Sequence, residues 1–265
     1  MRKPIVAGQF YPADKGLLQD SVKKFIKKKE DSKVKAAIVP HAGYMFSGKC
    51  AGKVYSVLPG AETYIILGVN HNMLGQNIAI SLEDFETPLG IMKNDQKLSK
   101  EILKELDIKE DNNAHKYEHS VEVQIPFLQV TQKDFEIVPI ILKNYTLESC
   151  KKLGKAICEA GKKLKRKIII LASSDFTHAG PGYGFNGDIK VDKKAIDEII
   201  KFNTKRFLDI AKTTTICGAG AIATTIEAAK LLGAKEADLL DYYDSSKIMQ
   251  GENKVGYAGI VFLGT

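Results

Sequence analysis

The chain has 265 residues, 44% of them hydrophobic and 27% charged, with a formal net charge of +7. That length and composition support a sizeable buried core and exclude a disordered, fibrous or disulfide-stapled chain. The charge permits anionic partners, but the lysines mix with acids on helix faces, as in KKFIKKKEDSK, arginine is scarce, and no aromatics interleave with the basic residues, so no nucleic-acid partner is expected.

After an irregular start, MRKPIVAGQFYPAD, residues 15–29 place Leu18, Val22, Phe25 and Ile26 at helical spacing. Residues 35–40 (KAAIVP) read as a short apolar strand and 49–58 (KCAGKVYSVL) as a helix. Strands follow at 63–69 (TYIILGV) and 77–81 (NIAIS), then a helix at 97–106, with no element assigned between 82 and 96. SVEVQIPFLQV (120–130) is read as a helix containing a proline, FEIVPIIL (135–142) as a strand, 147–164 as a helix and KIIILAS (167–173) as a strand. Two helices occupy 192–211 and one 219–232; ADLLDYYDSS and VGYAGIVFLG close the chain as strands. Near-continuous apolar strands alternating with helices predict a single α/β domain over 1–265, with a largely parallel sheet covered on both faces. In such sheets ligands gather beyond the carboxyl ends of the strands.

Three chemistry-bearing segments sit at such ends. His41 follows AAIVP, His71 follows YIILGVN, and Asp175 and His178 follow IIILASS, so parallel strands would bring them to one sheet edge. Imidazole is the commonest metal-ligand side chain, and two histidines with one anionic group make an open site for iron(II) or zinc. The anionic candidates are Asp175, Glu118, Glu122 and the thiolate of Cys217. Cys217 lies just before a helix start rich in glycine, where amides and the helix dipole favour a thiolate; the competing reading is a small buried apolar group. Cys50, Cys150 and Cys158 are read as structural, and the absence of CxxC pairs, of a signal peptide and of a long apolar run points to a reduced, cytoplasmic protein without a membrane partner. In HKYEHSVEVQIPF, His119 and Glu122 are read as contacting substrate or supporting the ligands, and His115 as a surface residue; Lys116 follows the first histidine where a zincin carries glutamate. Ser173 and Ser174 lack a GxSxG frame. GAGAIA lacks the third glycine of a dinucleotide loop and the lysine of a P-loop, and is read as a place of close helix packing.

Taken together, PHAGYMFSG, LGVNHN, YEHSVEVQIPF, SSDFTH and TICGAG, with AGQFYPAD at the start and GYAGIVFLG at the end, resemble the Memo family across nearly the whole chain. The resemblance implies a fold similar to the class III extradiol ring-cleaving dioxygenases, non-haem iron enzymes with two histidines and a glutamate as ligands, the glutamate being replaced by cysteine in the Memo family. Carried onto this sequence, the metal ligands are His41, His71 and Cys217. Asp175 and His178 match pocket residues, with His178 at the position of the proton-transfer base. Asn72 departs from the animal members, which carry a second histidine there. The resemblance implies an iron(II) or copper cofactor before zinc, and a metal-dependent redox or dioxygenase-like activity assisted by His178, Asp175 and His119. The alternatives are a non-catalytic pocket for a small molecule, a peptide or a metal, and a zinc hydrolase with Asp175 or Glu122 activating water.

Overall fold

The structure is a computed structural model that describes residues 1–27 and 29–264. In chain order the elements are α1 (Lys15–Phe25), β1 (Val34–Val39), α2 (Tyr44–Val57), β2 (Thr63–Val69), β3 (Ile78–Ile80), β4 (Phe85–Thr87), β5 (Gly90–Met92) and α3 (Gln96–Leu106). They continue with α4 (Asn112–His115), α5 (Ile125–Thr131), β6 (Glu136–Leu142), α6 (Leu147–Lys163), β7 (Ile168–Ser173) and β8 (His178–Ala179). The last are α7 (Val191–Ile200), α8 (Thr204–Ala211), α9 (Ala219–Leu231), β9 (Ala234–Asp244) and β10 (Lys254–Gly264).

Side-chain alternation explains the layers. In β1, Ala36 and Ile38 face one core while Val34, Ala37 and Val39 face the other; in β2, Ile65 and Leu67 oppose Tyr64 and Ile66. Both faces are apolar, so each strand needs cover on both sides. Helices α3, α6, α7, α8 and α9 pack on the first face, and α1, α2, α4 and α5 on the second. The sheet order is β3-β6-β2-β7-β1-β10-β8, with β9 also paired to β10. The four central strands, β6, β2, β7 and β1, are mutually parallel, whereas β3 and β10 join them antiparallel. The result is a single α/β domain with a mostly parallel, mixed sheet.

The predicted elements reappear with local differences. Helix α1 ends at Phe25, and Lys28, inside the predicted 15–29 span, lies outside the described residues, as does Thr265. Helix α2 begins five residues before the predicted start because its N-cap, Gly43, gives no side-chain cap to read. Pro126 does not interrupt a helix: residues 122–124 form a 3-10 turn, and the proline sits in the first turn of α5, where its missing N–H has no intrahelical acceptor to lose. The small β4–β5 hairpin was not predicted.

One close approach fixes the site's geometry. Gly68 in β2 faces Ser120, whose Oγ accepts the Val69 N–H at 2.9 Å and donates to Val69 O at 3.1 Å. A Cβ on Gly68 would lie 2.4 Å from Ser120 Oγ and 3.0 Å from Val121 Cγ2. Only a glycine lets the 118–121 segment reach the strand. Gly68→Ala is therefore expected to destabilise the fold by about 1–3 kcal/mol, read as a lower urea midpoint at unchanged m-value; an unchanged midpoint would show that the segment yields freely.

Candidate metal centre

Strands β2, β7 and β1 are neighbours and parallel, so the loops after them meet at one edge of the sheet. There His41, His71, His119, Asp175 and His178 line a cavity of about 650 Å³. His41 and His71 are 5.3 Å apart between ring centroids, at 89°, and His119 stacks on His71 at 4.8 Å and 13°. Ligand atoms of His41, His71 and Cys217 all lie within 4.8 Å of one another.

The hydrogen bonds dictate which ring nitrogens are free. Gln124 Nε2 donates to Pro40 O at 2.9 Å and to Ser173 Oγ at 2.8 Å. Ser173 Oγ gives its own proton to Ser120 O at 2.6 Å. Its remaining contact, with His41 Nδ1 at 3.1 Å, must then be one it accepts. His41 therefore carries its proton on Nδ1, and the lone pair of Nε2 faces Cys217 Sγ at 3.3 Å. Burial, and then the charge of His71, pull the His41 imidazole down to about 3, so it is neutral at physiological pH.

His71 is oriented by a carboxylate. Its Nδ1 lies 2.9 Å from Glu118 Oε1, while its backbone N–H donates to Oε2 at 2.7 Å. Burial alone would raise the Glu118 carboxyl, but the hydrogen bond from His71 and the charges of His71 and His119 bring it down to about 2. An ionised acceptor favours a His71 proton on Nδ1, so the neutral ring has its lone pair on Nε2, the carboxylate–histidine arrangement common at metal sites. Sequence reading placed Glu118 among candidate ligands; the structure shows it orienting His71.

Asp175 does other work. Its Oδ1 accepts the N–H groups of His41 at 2.8 Å and Ala42 at 3.2 Å, tying the HAGY turn to the end of β7. Burial raises its carboxyl, against His178 and these two amides. His178 is mounted on Thr215: its N–H donates to Thr215 Oγ1 at 2.7 Å and its Nδ1 to Thr215 O at 3.2 Å. A carbonyl can only accept, so Nδ1 carries a proton and the neutral ring has its lone pair on Nε2. His119 is neutral, pulled to about 4 by burial and then by His41.

Two sequence-based expectations are corrected, and the two readings of Cys217 are told apart. Its thiol fits the small buried group better than the helix-favoured thiolate: burial, and then the Asp175 charge, push it upward. The nearby amide of Gly218 donates to Ser174 Oγ at 2.9 Å, not to the sulfur. His115 is buried, not on the surface: its Nε2 donates to Ala79 O at 3.0 Å. Glu122 does not reach the cavity: its carboxylate pairs with Arg2, accepts the Tyr11 hydroxyl and binds the amides of Ile5 and Val6. That removes it as a water-activating base. Asn72 points away, donating to Tyr117 O at 2.7 Å. The expected close packing at GAGAIA is present, since a Cβ on Gly218 would lie 2.5 Å from Ser174 Cβ. Sequence reading missed the supporting roles of Gln124, Ser120 and Thr215, which carry no motif signal of their own.

One imidazole lone pair facing the sulfur, with a His71 ring nitrogen within 4.8 Å, makes a donor set that fits a borderline or soft cation. His41, His71 and Cys217 would hold it, and His41 and His71 also line the cavity.

From residue 2 to residue 261 the chain matches the family described as Memo-like protein. The MEMO1 family protein of Archaeoglobus fulgidus is 39% identical over 264 residues, covering 99% of either chain. That of Thermococcus onnurineus is 40% identical over 290 residues, again 99% of either chain. Among solved structures, an uncharacterized protein from Escherichia coli K12 superposes with a TM-score of 0.59 at 13% identity, covering 86% of this chain and 99% of its own, a likeness of fold alone.

His115 supplies a pH prediction. Burial lowers it to about 4, against the opposing bond to Ala79 O, whereas an unfolded histidine titrates near 6.5. Between those values the unfolded chain binds a proton that the folded chain refuses, so the contribution is whole above about pH 6.5 and is lost as pH falls toward 4. The stability gap between wild type and His115→Gln is expected to shrink by about 2 kcal/mol from pH 7 to pH 4.5 in urea titrations. A gap independent of pH would refute the buried neutral state.

Proposed function

The chain belongs to the Memo-like protein family, and from that premise we propose that it is a metal-dependent redox protein acting on a small molecule in the cavity, with His41, His71 and Cys217 as metal ligands. The observation that carries this reading is that His41 Nε2 faces the Cys217 thiol at 3.3 Å with a ring nitrogen of His71 within 4.8 Å of both, each imidazole being held by a hydrogen-bond partner at Nδ1. A thiolate softens the donor set, which supports iron(II), copper(I) or zinc over magnesium or calcium; the family resemblance puts iron or copper before zinc. When bound, such a metal supplies electron transfer and Lewis acidity to a substrate beside it.

The chain's own groups account for the rest. Cys217 releases its proton as it becomes a ligand. His178 keeps Nε2 as an acceptor toward the cavity and can take a proton from a bound hydroxyl, such as that of a phenol. His119, neutral, offers one donor and one acceptor to the same substrate. Asp175 holds the His41 turn and so keeps the ligand in place. Phe10, Phe46 and Tyr257 supply apolar wall. Four free cysteines, and no helix among the described residues long and apolar enough to cross a membrane, are in keeping with a reducing, cytoplasmic setting.

A second reading, capture of a small molecule or peptide without turnover, is favoured by the buried, upward-shifted Cys217 thiol, which makes the donor set self-sufficient as S–H and imidazole.

Protein purified without oxygen is expected to hold one iron or copper per chain. His41→Ala and Cys217→Ser are expected to lose it, and Glu118→Gln to weaken it about 10–100-fold. Metal analysis with competitive chelation reads all three. Failure of wild type to retain iron, copper or zinc against a weak chelator would overturn the redox reading and leave capture in its place.

A further inference from the structure

His119 is the member of the histidine cluster that the ligand set above does not use. Its Nδ1 and that of His71 converge on one oxygen: Glu118 Oε1 lies 2.9 Å from the first ring to bind it, His71, and 3.6 Å from His119. The shorter contact is a hydrogen bond. The longer one is not, and among the described residues nothing hydrogen-bonds to the His119 ring. Glu118 Oε1 also accepts the Ser120 N–H at 2.8 Å, which leaves it room for one further partner in place of the His71 proton. A cation at roughly 2.0–2.2 Å from nitrogen and oxygen donors sets those donors about 3–3.6 Å apart. The donor atoms of His71, Glu118 and His119 all lie within 4.8 Å of one another.

We propose that His71, His119 and Glu118 form a second, outer cation position, which shares His71 with the inner position of His41, His71 and Cys217. The sharing clause rests on the metal reading of the inner set; the outer position stands on its own donors. A neutral imidazole has one ring lone pair. His71 therefore serves one position at a time: through Nδ1 outward, with its proton on Nε2, or through Nε2 inward, with its proton on Nδ1. The outer donors are the more accessible, with side-chain exposures of 33% for His71 and 22% for His119, whereas His41 is 2% exposed. A cation arriving through the cavity meets them first. The two positions also differ in softness. The outer set offers two nitrogens and a carboxylate oxygen, and the inner set replaces the oxygen with sulfur, so a soft cation passes inward and a harder divalent cation stays outside.

Cobalt(II) is the probe, because a thiolate ligand gives it a near-ultraviolet charge-transfer band that nitrogen and oxygen ligands do not. Wild type is expected to bind one cobalt with that band. Cys217→Ser is expected to bind one cobalt without it, and to lose affinity roughly tenfold or more when combined with His119→Ala or with His119→Gln. The glutamine variant guards against a packing defect, and His119→Ala alone should keep the band. Absence of saturable cobalt binding in Cys217→Ser, or binding there that neither His119 variant weakens, would overturn the outer position. A wild type without the band, beside a Cys217→Ser protein whose binding depends on His119, would support the outer position and overturn the inner one.

Discussion

Burial drives a carboxyl toward its neutral form, and Glu118 is almost wholly buried, yet its donors hold it ionised near the cavity floor. That one charge organises three pieces of chain. It accepts the His71 amide and ring, the Ser120 amide, and lies beside His119. Ser120 in turn reaches β2 through the gap at Gly68 and accepts, on its carbonyl, the proton of Ser173. Ser173 holds His41 in its ligand-ready tautomer. The orientation of both imidazoles is thus traceable to where the 118–120 segment sits.

The segment is held from behind by the N-terminus. Arg2 donates to the carbonyls of His115 and Glu118 and pairs with the Glu122 carboxylate, all in the interior. Breaking such a buried pair by removing one partner costs about 3–5 kcal/mol, because the other charge stays buried alone. Three acids near one another therefore take three tasks. Glu122 anchors residues 2–6 and Tyr11, Glu118 orients His71, and Asp175 ties the His41 turn to β7. None of the three is free to stand in for the Cys217 sulfur without giving up amides it already accepts.

Much of this was legible in the sequence, and the reason is the parallel sheet. Apolar runs such as YIILGV and IIILAS are long enough to mark strands, and in a parallel arrangement their polar followers must share an edge; His41, His71, Asp175 and His178 do. Roles were less legible than places. His115 and His119 are four apart, yet the turn after α4 sends one into the core against Ala79 and the other into the cavity. Glu118 and Glu122 look equivalent as letters, and only their donors tell them apart. Cys217 stayed open between two readings because a helix start favours a lowered thiol, whereas burial beside the Asp175 carboxylate outweighs the helix end. The β4–β5 hairpin escaped because three-residue strands carry no period to detect.

The upward shift of Cys217 bears on how the centre can work. Without a cation, the inner donors include a neutral imidazole and a thiol, beside two carboxyl groups that accept amides. A divalent cation held there would bring two positive charges into that setting, and release of the thiol proton would cancel one of them. A glutamate ligand, already ionised, would have to be held in the same confined space as a third carboxylate with no cation to pair with it. A cysteine would avoid that cost by remaining protonated until a metal were bound, so on the metal reading proposed above a thiol in this place would couple filling of the site to loss of a proton.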